Sequence, residues 1–163
     1  MTYIGTPDSV AFSGVAQKLR SFFLAKGFVE VHTQDRLSIL AACEDPYTVS
    51  SFTYNGELWP LPQTGQMWLE YELLTRPDVA GVFCMSTSYR QEPHPVPGRH
   101  NMIFPMFEFE SRGTIADLRS LEESLLAHLG FGDAGRFAHV SYAEAAKQYG
   151  TEALSFVEEE RLC

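Results

Sequence analysis

The sequence predicts an α+β fold in which helices flank an antiparallel β-sheet, and three observations support this class. Apolar residues recur at helical spacing in two segments, residues 9–26 and 114–129. Apolar runs of strand length occupy residues 82–89 and 103–109 and are joined by a polar loop. Helices and strands do not alternate regularly along the chain, which disfavours a parallel sheet with crossover helices.

Length and composition indicate one globular domain spanning residues 1–163. Hydrophobic residues make up 45% of the chain, enough to form a core. The 21 acidic and 12 basic residues give a net charge of −9, which argues against nucleic-acid binding through a broad basic surface. No apolar run reaches the 18 or so residues of a membrane span, and the first residues lack the pattern of a signal peptide. We therefore expect a cytoplasmic protein.

The first element is a helix over residues 9–26, which Asp8 or Ser9 can cap and which Gly27 can end. Residues 28–32 then alternate apolar and polar side chains, as a strand does.

A β-hairpin is predicted further along the chain. Residues 37–50 read as a loop with short extended pieces. Two apolar segments, 52–54 and 58–61, flank Asn55-Gly56, the dipeptide that favours a tight type I′ turn.

The centre of the chain predicts a short helix over residues 66–74 and then two long strands. The strands, residues 82–89 and 103–109, are joined by residues 90–101, whose prolines exclude a helix. This arrangement favours an antiparallel pair with a functional loop at its tip.

The last third of the chain predicts helices. Residues 114–129 carry an apolar stripe that ends at Gly130, and Ser141 with Glu144 forms the pattern of a capping box. Residues 153–162 also read as helical.

The loop between the long strands carries the strongest chemical signal. Arg90 and Arg99 offer planar forks of donors that match phosphate oxygens. Glu92 can accept a hydrogen bond from an amino group such as that of adenine, and Phe104 offers a face for stacking a base. A nucleoside triphosphate would suit this set, and a solvated loop with surface ion pairs is an equally weighted alternative.

Several other chemistries lack their sequence signatures. The chain has no glycine-rich phosphate-binding motif, so an ATP site would depend on side chains. The histidines and cysteines show no recognised zinc spacing, so we predict no metal ligands. No nucleophile elbow is present, which disfavours catalysis by a serine or cysteine nucleophile. Cys84 lies in an apolar strand and is expected in the core.

Four segments, taken in order, resemble the catalytic core of class II aminoacyl-tRNA synthetases, particularly the asparaginyl/aspartyl branch. Residues 27–33 (GFVEVHT) resemble motif 1, and residues 40–44 (LAACE) resemble the segment that holds the α-amino group. Residues 63–70 (QTGQMWLE) resemble the amino-acid-binding turn and helix, and residues 83–110 resemble motif 2.

The resemblance implies specific roles for these residues, with ATP and Mg²⁺ as cofactors. Arg90, which would contact the α-phosphate, is the candidate catalytic residue. The other implied ATP-binding residues are Glu92, Arg99, His100, Asn101 and Phe104. The implied amino-acid-binding residues are Glu44, Gln63, Thr64, Gln66, Glu70 and Glu108. Glu70 would face a side-chain amide, and Leu69 stands where aspartyl enzymes have a lysine.

Departures from the family pattern also affect the expected function. Gln34 replaces the proline that ends motif 1, and Ile103 replaces a glutamate. Residues 1–163 contain motifs 1 and 2 but neither motif 3 nor an anticodon-binding domain, which implies an incomplete core.

The activity implied by the resemblance is formation of an aminoacyl adenylate from asparagine or aspartate. The chain would belong to an asparaginyl-tRNA synthetase-like or asparagine synthetase-like enzyme. The alternative is a catalytically incomplete paralogue that acts as a dimeric nucleotide- and amino-acid-binding or regulatory module. A homodimer through the motif 1 helix is expected, whereas the negative charge argues against independent recognition of tRNA.

Overall fold

The computed structural model describes residues 8–33, 41, 44–98 and 100–150. The chain divides into two compact units, with the boundary between Arg112 and Gly113. The first unit contains α1 (Ser9–Ala25), β1 (Val29–Glu30), β2 (Ser51–Tyr54), β3 (Glu57–Pro60), α2 (Gln66–Thr75), β4 (Gly81–Tyr89) and β5 (Ile103–Ser111). The second unit contains α3 (Ile115–Leu129) and α4 (Tyr142–Tyr149). The predicted α+β class is confirmed.

The predicted antiparallel pair of long strands forms the centre of the first unit. β4 and β5 pair without interruption from Gly81 opposite Ser111 to Tyr89 opposite Ile103. β1 joins the other edge of β4, in parallel, and is shorter than the predicted strand over residues 28–32. The three-stranded sheet therefore has the order β1-β4-β5 and adds one parallel pair to the antiparallel sheet that we expected.

Helix α1 covers one face of this sheet through Phe23. Asp8 caps the helix by accepting hydrogen bonds from the backbone N–H groups of Val10 and Ala11, and Gly27 follows the helix with a φ of 79°. The fully buried ring of Phe23 lies 4.8 Å from the ring of Phe109 and 5.1 Å from that of Phe107, between centroids. Because successive strand residues alternate between faces, these rings define the α1 face of β5.

Helix α2 covers the opposite face. Leu69 of α2 is buried against Val82 and Cys84 of β4, so the prediction that Cys84 lies in the core is confirmed. Burial and the nearby Glu108 carboxylate raise the pKa of the Cys84 thiol to about 12.

The β2–β3 hairpin has the predicted turn. Asn55 and Gly56 both have positive φ angles, 52° and 81°, as a type I′ turn requires. Phe52 pairs with Trp59 across the strands, and both side chains are exposed.

The second unit has capped helices at the predicted places. Ser141 and Glu144 form the predicted capping box of α4, and Thr114 with Asp117 forms another at the start of α3. No described residue of α3 or α4 is buried, and Ile115 of the predicted apolar stripe is 72% exposed. The helix predicted over residues 153–162 lies outside the described residues.

Candidate functional site

The candidate nucleotide site lies where β4 ends and β5 begins. Arg90 directly follows β4, and its backbone N–H donates to the Met102 carbonyl at 2.8 Å. The Arg90 guanidinium carbon lies 5.9 Å from the centre of the Phe104 ring, and its Nε donates to Ser88 Oγ at 3.4 Å. An arginine and an aromatic ring therefore lie side by side, and their roles in binding phosphate and stacking on a base stay predictions.

The loop after Arg90 is tied down at two points. The Gln91 backbone N–H donates to the Thr48 carbonyl at 2.9 Å, which fixes the start of the loop. Farther on, the Val96 backbone N–H donates to His100 Nδ1 at 3.1 Å, and the His100 N–H donates to the Val96 carbonyl at 3.0 Å. With Nδ1 accepting, the neutral His100 ring carries its proton on Nε2, which can donate to an anion.

For the remaining predicted ATP-binding residues, the structure gives the position in the loop and the exposure of two. Glu92 lies in the same loop, half-buried, and Asn101 is exposed just before β5. Arg99 lies outside the described residues, and its role stays a prediction.

The candidate amino-acid site begins at the turn before α2. Gly65 is the N-cap residue of α2, and it provides no side chain to cap the helix. Thr64 Oγ1 instead accepts from the Gln66 backbone N–H at 3.1 Å. Gln66 Nε2 donates to Glu70 Oε1 at 2.8 Å, which joins two predicted amino-acid ligands on successive turns of α2.

Glu108 of β5 holds the same turn. Its Oε1 accepts from the Thr64 hydroxyl, and its Oε2 accepts from the Gly65 backbone N–H at 2.8 Å and from Ser86 Oγ at 2.9 Å. The Glu108 carboxylate is therefore engaged by protein donors, whereas the sequence predicted that it contacts the amino acid.

A further glutamate completes this acidic face. Burial is the largest cause that raises the pKa of Glu110, and the nearby Glu70 and Glu108 carboxylates raise it further. Three carboxylates close enough to interact make this face favourable for an ammonium or amide group, and unfavourable for the side-chain carboxylate of aspartate.

The Gln63 side chain is hydrogen-bonded within the protein. Its side chain is fully buried, and its Nε2 donates to Thr48 Oγ1 at 2.8 Å and to the Asp45 carbonyl at 3.2 Å. Its Oε1 accepts from the Asp45 backbone N–H at 3.2 Å. In this ligand-free structure the Gln63 amide holds residues 45–48, and its contact with an amino acid stays a prediction.

Glu44 lies at the start of this same segment. Its Oε2 accepts from the Ala41 backbone N–H at 2.7 Å, and the side chain is half-buried. Its contact with an amino group stays a prediction.

A cavity of about 380 Å³ opens beside the turn before α2. This volume is in the range of small-molecule sites, roughly 300–1,000 Å³. Thr64 and Gly65 line it together with Ser86 of β4, and Trp68 and His32 are also among its lining residues. Our sequence analysis did not single out Ser86, Trp68 or His32.

Ser86 and Ser88 stand two residues apart in β4 and therefore share one face of the sheet. The sequence does not single out that face, because Thr87 between them is also polar. Their side chains lie on the α2 side, where Ser86 contacts Glu108 and Ser88 Oγ donates to the Gln63 carbonyl at 2.8 Å.

The fold and the arrangement of these residues define a partial class II aminoacyl-tRNA synthetase core. The chain belongs to the family of class II tRNA synthetases (D, K and N), whose family model matches residues 10–157. No curated protein sequence matches the chain significantly.

Solved structures show the same fold. The chain is similar to the asparaginyl-tRNA synthetase of Pyrococcus horikoshii complexed with asparaginyl-adenylate, with a TM-score of 0.60 and 23% identity over 72% of this chain and 26% of that chain. It is also similar to the asparaginyl-tRNA synthetase of Entamoeba histolytica with asparaginyl-adenylate, with a TM-score of 0.62 and 21% identity over 83% of this chain and 33% of that chain. The chain thus spans about a quarter to a third of these two proteins.

Two further findings concern the described part of the chain. It contains no helix that is long and apolar enough to cross a membrane. It also contains no group of three or more His, Cys, Asp and Glu side chains that could hold a metal ion.

Proposed function

We propose that the chain binds ATP and asparagine or aspartate and contributes to aminoacyl-adenylate formation in an asparaginyl-tRNA synthetase-like or asparagine synthetase-like enzyme. The observation that carries the proposal is the pairing of Arg90 with Phe104 at the end of the β4–β5 hairpin. Both residues lie on the sheet face that α2 covers, together with Gln66 and Glu70 on the helix itself.

The reaction is a displacement at phosphorus. The amino-acid carboxylate oxygen bonds to the α-phosphorus of ATP, the bond to the bridging oxygen breaks, and pyrophosphate leaves with that electron pair. Mg²⁺, when bound with ATP, offsets the negative charge of the phosphates. Arg90 orients the α-phosphate and neutralises charge that accumulates on its oxygens, while Phe104 stacks on the base.

The amino-acid preference follows from the charges around α2. Gln66 and Glu70 form a hydrogen-bonded pair, with Glu110 near enough to interact with Glu70. Asparagine offers an amide N–H group to these acceptors, whereas aspartate would bring another carboxylate. We therefore favour asparagine over aspartate, in line with the two similar asparaginyl-tRNA synthetase structures, which are complexed with asparaginyl-adenylate.

A homodimer through α1 is part of the proposal. The first half of α1 carries exposed apolar side chains, with Val10 83% and Val15 49% exposed. We propose that these exposed apolar side chains contribute to the dimer interface. Sedimentation should detect a dimer that Val10→Asp with Val15→Asp dissociates, and a chain that stays monomeric at all concentrations would contradict this element.

The test of the nucleotide site is calorimetric titration with MgATP. Arg90→Ala should weaken ATP binding about ten- to a hundredfold, because a hydrogen bond to a charged group contributes about 1.5–3 kcal/mol. Arg136→Ala is the matched control, since Arg136 is an exposed arginine of the second unit, paired with Asp133. Equal ATP affinity in Arg90→Ala and the parent chain would refute the assignment.

The test of chemistry is pyrophosphate exchange dependent on asparagine or aspartate. Exchange above background would support adenylate formation, and the preferred amino acid would identify the substrate. Binding of both ligands without exchange would support the alternative function, a dimeric nucleotide- and amino-acid-binding or regulatory module. If Glu70 recognises an amide, Glu70→Gln should reduce the preference for asparagine over aspartate.

A further inference from the structure

The turn between β3 and α2 is held from a distant strand by one side chain. The Glu108 carboxylate of β5 accepts hydrogen bonds from the Thr64 hydroxyl, the Gly65 backbone N–H and the Ser86 hydroxyl. The Cys84 thiol adds a longer contact of 3.9 Å to the same oxygen. These donors come from two elements, the turn and β4, so the carboxylate joins both to β5.

Glu108 also supplies the negative charge that the start of α2 lacks. α2 has no acidic residue in its first turn, and its N-cap residue is a glycine without a side-chain bond. The N-terminus of a helix leaves backbone N–H groups unpaired and carries a partial positive charge, which a nearby carboxylate stabilises. Glu108 binds the N–H group of Gly65 directly, and Thr64 relays the contact to the N–H group of Gln66.

An independent observation shows how closely the turn approaches these groups. A Cβ atom added to Gly65 would lie 2.9 Å from Cys84 Sγ, 2.9 Å from Thr33 Cγ2 and 3.2 Å from Glu108 Oε2. The φ angle of Gly65 is −89°, so any residue could adopt its backbone conformation. Glycine is required here because the turn is drawn against β4 and β5, which leaves no room for a side chain.

We propose that Glu108 is a positioning residue, which fixes the Thr64–Gly65 turn and thereby the place of Gln66 and Glu70 at the start of α2. Its oxygens are occupied by protein donors and contribute no direct contact to the amino acid. The inference rests on the proposed function only for its effect on amino-acid binding, because the anchoring of the turn exists without any ligand.

Two variants distinguish this role from direct binding of an ammonium group. Glu108→Gln keeps the shape and can keep the contacts, with its carbonyl accepting from Gly65 and Ser86 and its amide donating to Thr64 Oγ1. Glu108→Ala removes every contact. A residue that binds substrate through its charge would lose its effect in both variants, whereas an anchor of the turn would lose it only in Glu108→Ala.

The first measurement is amide hydrogen exchange in the ligand-free chain, followed at Gly65 and Gln66. Exchange there should be at least about tenfold faster in Glu108→Ala than in the parent and within about threefold of the parent in Glu108→Gln. Glu110→Gln is the matched control, since it removes a carboxylate two residues away on the same face. Unchanged protection in Glu108→Ala would overturn the proposal.

The second measurement is calorimetric titration with asparagine, with MgATP as an internal control. Affinity for asparagine should fall at least about tenfold in Glu108→Ala and stay within about threefold in Glu108→Gln. An equal loss in both variants, with protection of the turn intact in Glu108→Gln, would establish direct binding and overturn the proposal. A parent chain that does not bind asparagine would refute the proposed function, and the exchange result would then decide the role of Glu108 alone.

A further variant covers the case in which Glu108→Ala does not fold. Thr64→Val removes the hydroxyl that links Glu108 to the Gln66 N–H group and keeps the side-chain shape. Exchange should then accelerate at Gln66, while Gly65 keeps its own bond to Glu108. Protection at Gln66 equal to that of the parent would contradict the relay.

Discussion

Replacing Phe23 by alanine should remove most of the stability of the first unit. Phe23 is fully buried, and its ring lies within 5.6 Å, between centroids, of the rings of Phe28, Phe83, Phe107 and Phe109. Truncating such a side chain leaves a cavity that the sheet on one side and α1 on the other cannot fill by small shifts.

The expected cost follows from this geometry. A buried Phe→Ala substitution costs about 3–5 kcal/mol, and the loss of several aromatic pairs places Phe23 at the upper end of that range. Whole domains of this kind unfold with about 5–15 kcal/mol, so the substitution removes a large fraction of the total. At about 2–4 °C per kcal/mol for a chain of this length, the melting temperature should fall by about 8–20 °C.

Urea unfolding followed by circular dichroism measures this change. Leu24→Ala is the matched control, because Leu24 is the next residue of α1 and is 54% exposed. It should change the free energy of unfolding by no more than about 0.5 kcal/mol. A loss below about 1 kcal/mol for Phe23→Ala, or equal losses at both positions, would refute the view that the Phe23 cluster joins α1 to the sheet.

Three further predictions test other features of the first unit. Because burial and neighbouring carboxylates raise the pKa of Glu110, its stabilising contribution is present below its unfolded pKa and is lost as pH rises through the folded value. Urea unfolding should therefore show Glu110→Gln to be more stable than the parent at pH 7 and equal to it below about pH 4. Gly81→Ala should lower the urea midpoint sharply, because the new Cβ would lie 2.3 Å from the Phe28 ring. The buried Cys84 thiol, with a pKa near 12, should resist iodoacetamide in the native chain and react only under unfolding conditions, as mass spectrometry of the Cys84 peptide would show.

Local signals allowed most of the fold to be predicted from the sequence. The Asn55-Gly56 turn, the helix that ends before Gly27 and the capping box of Ser141 with Glu144 each depend on residues close together in the chain. The boundaries were less accurate. The strand predicted over residues 28–32 spans only Val29–Glu30 in the structure, because only those two residues pair with residues of β4.

The capping box at Thr114 shows a different limit of local reasoning. The familiar sequence pattern has Glu or Gln three residues after the N-cap, and this chain has Asp117 there. The shorter carboxylate still accepts from the Thr114 backbone N–H at 2.7 Å. The bonding geometry is therefore satisfied by a residue that the pattern does not include.

Side-chain roles in the candidate site depend on contacts between residues far apart in the chain. Arg90 and Phe104 come together because the register of β4 and β5 brings Tyr89 opposite Ile103, a pairing that two strands joined by a polar loop predict. Gln63 and Glu108 instead contact segments 15 and 44 residues away along the chain. No local pattern indicates such contacts, so the sequence could assign these side chains to the amino acid only through the family resemblance, and that role stays a prediction.

Polar side chains of the candidate site differ in whether their hydrogen-bonding groups are used within the protein. A side chain that contacts substrate needs hydrogen-bonding capacity left over in the folded chain, whereas one that shapes the site uses that capacity within the protein. The Gln63 amide makes its hydrogen bonds to residues 45–48, and the Glu108 carboxylate makes its hydrogen bonds to the turn before α2. In the proposed function, Gln66 and Glu70 are therefore the side chains expected to set the specificity of the amino-acid site, and the turn that Glu108 holds would determine where those two groups stand.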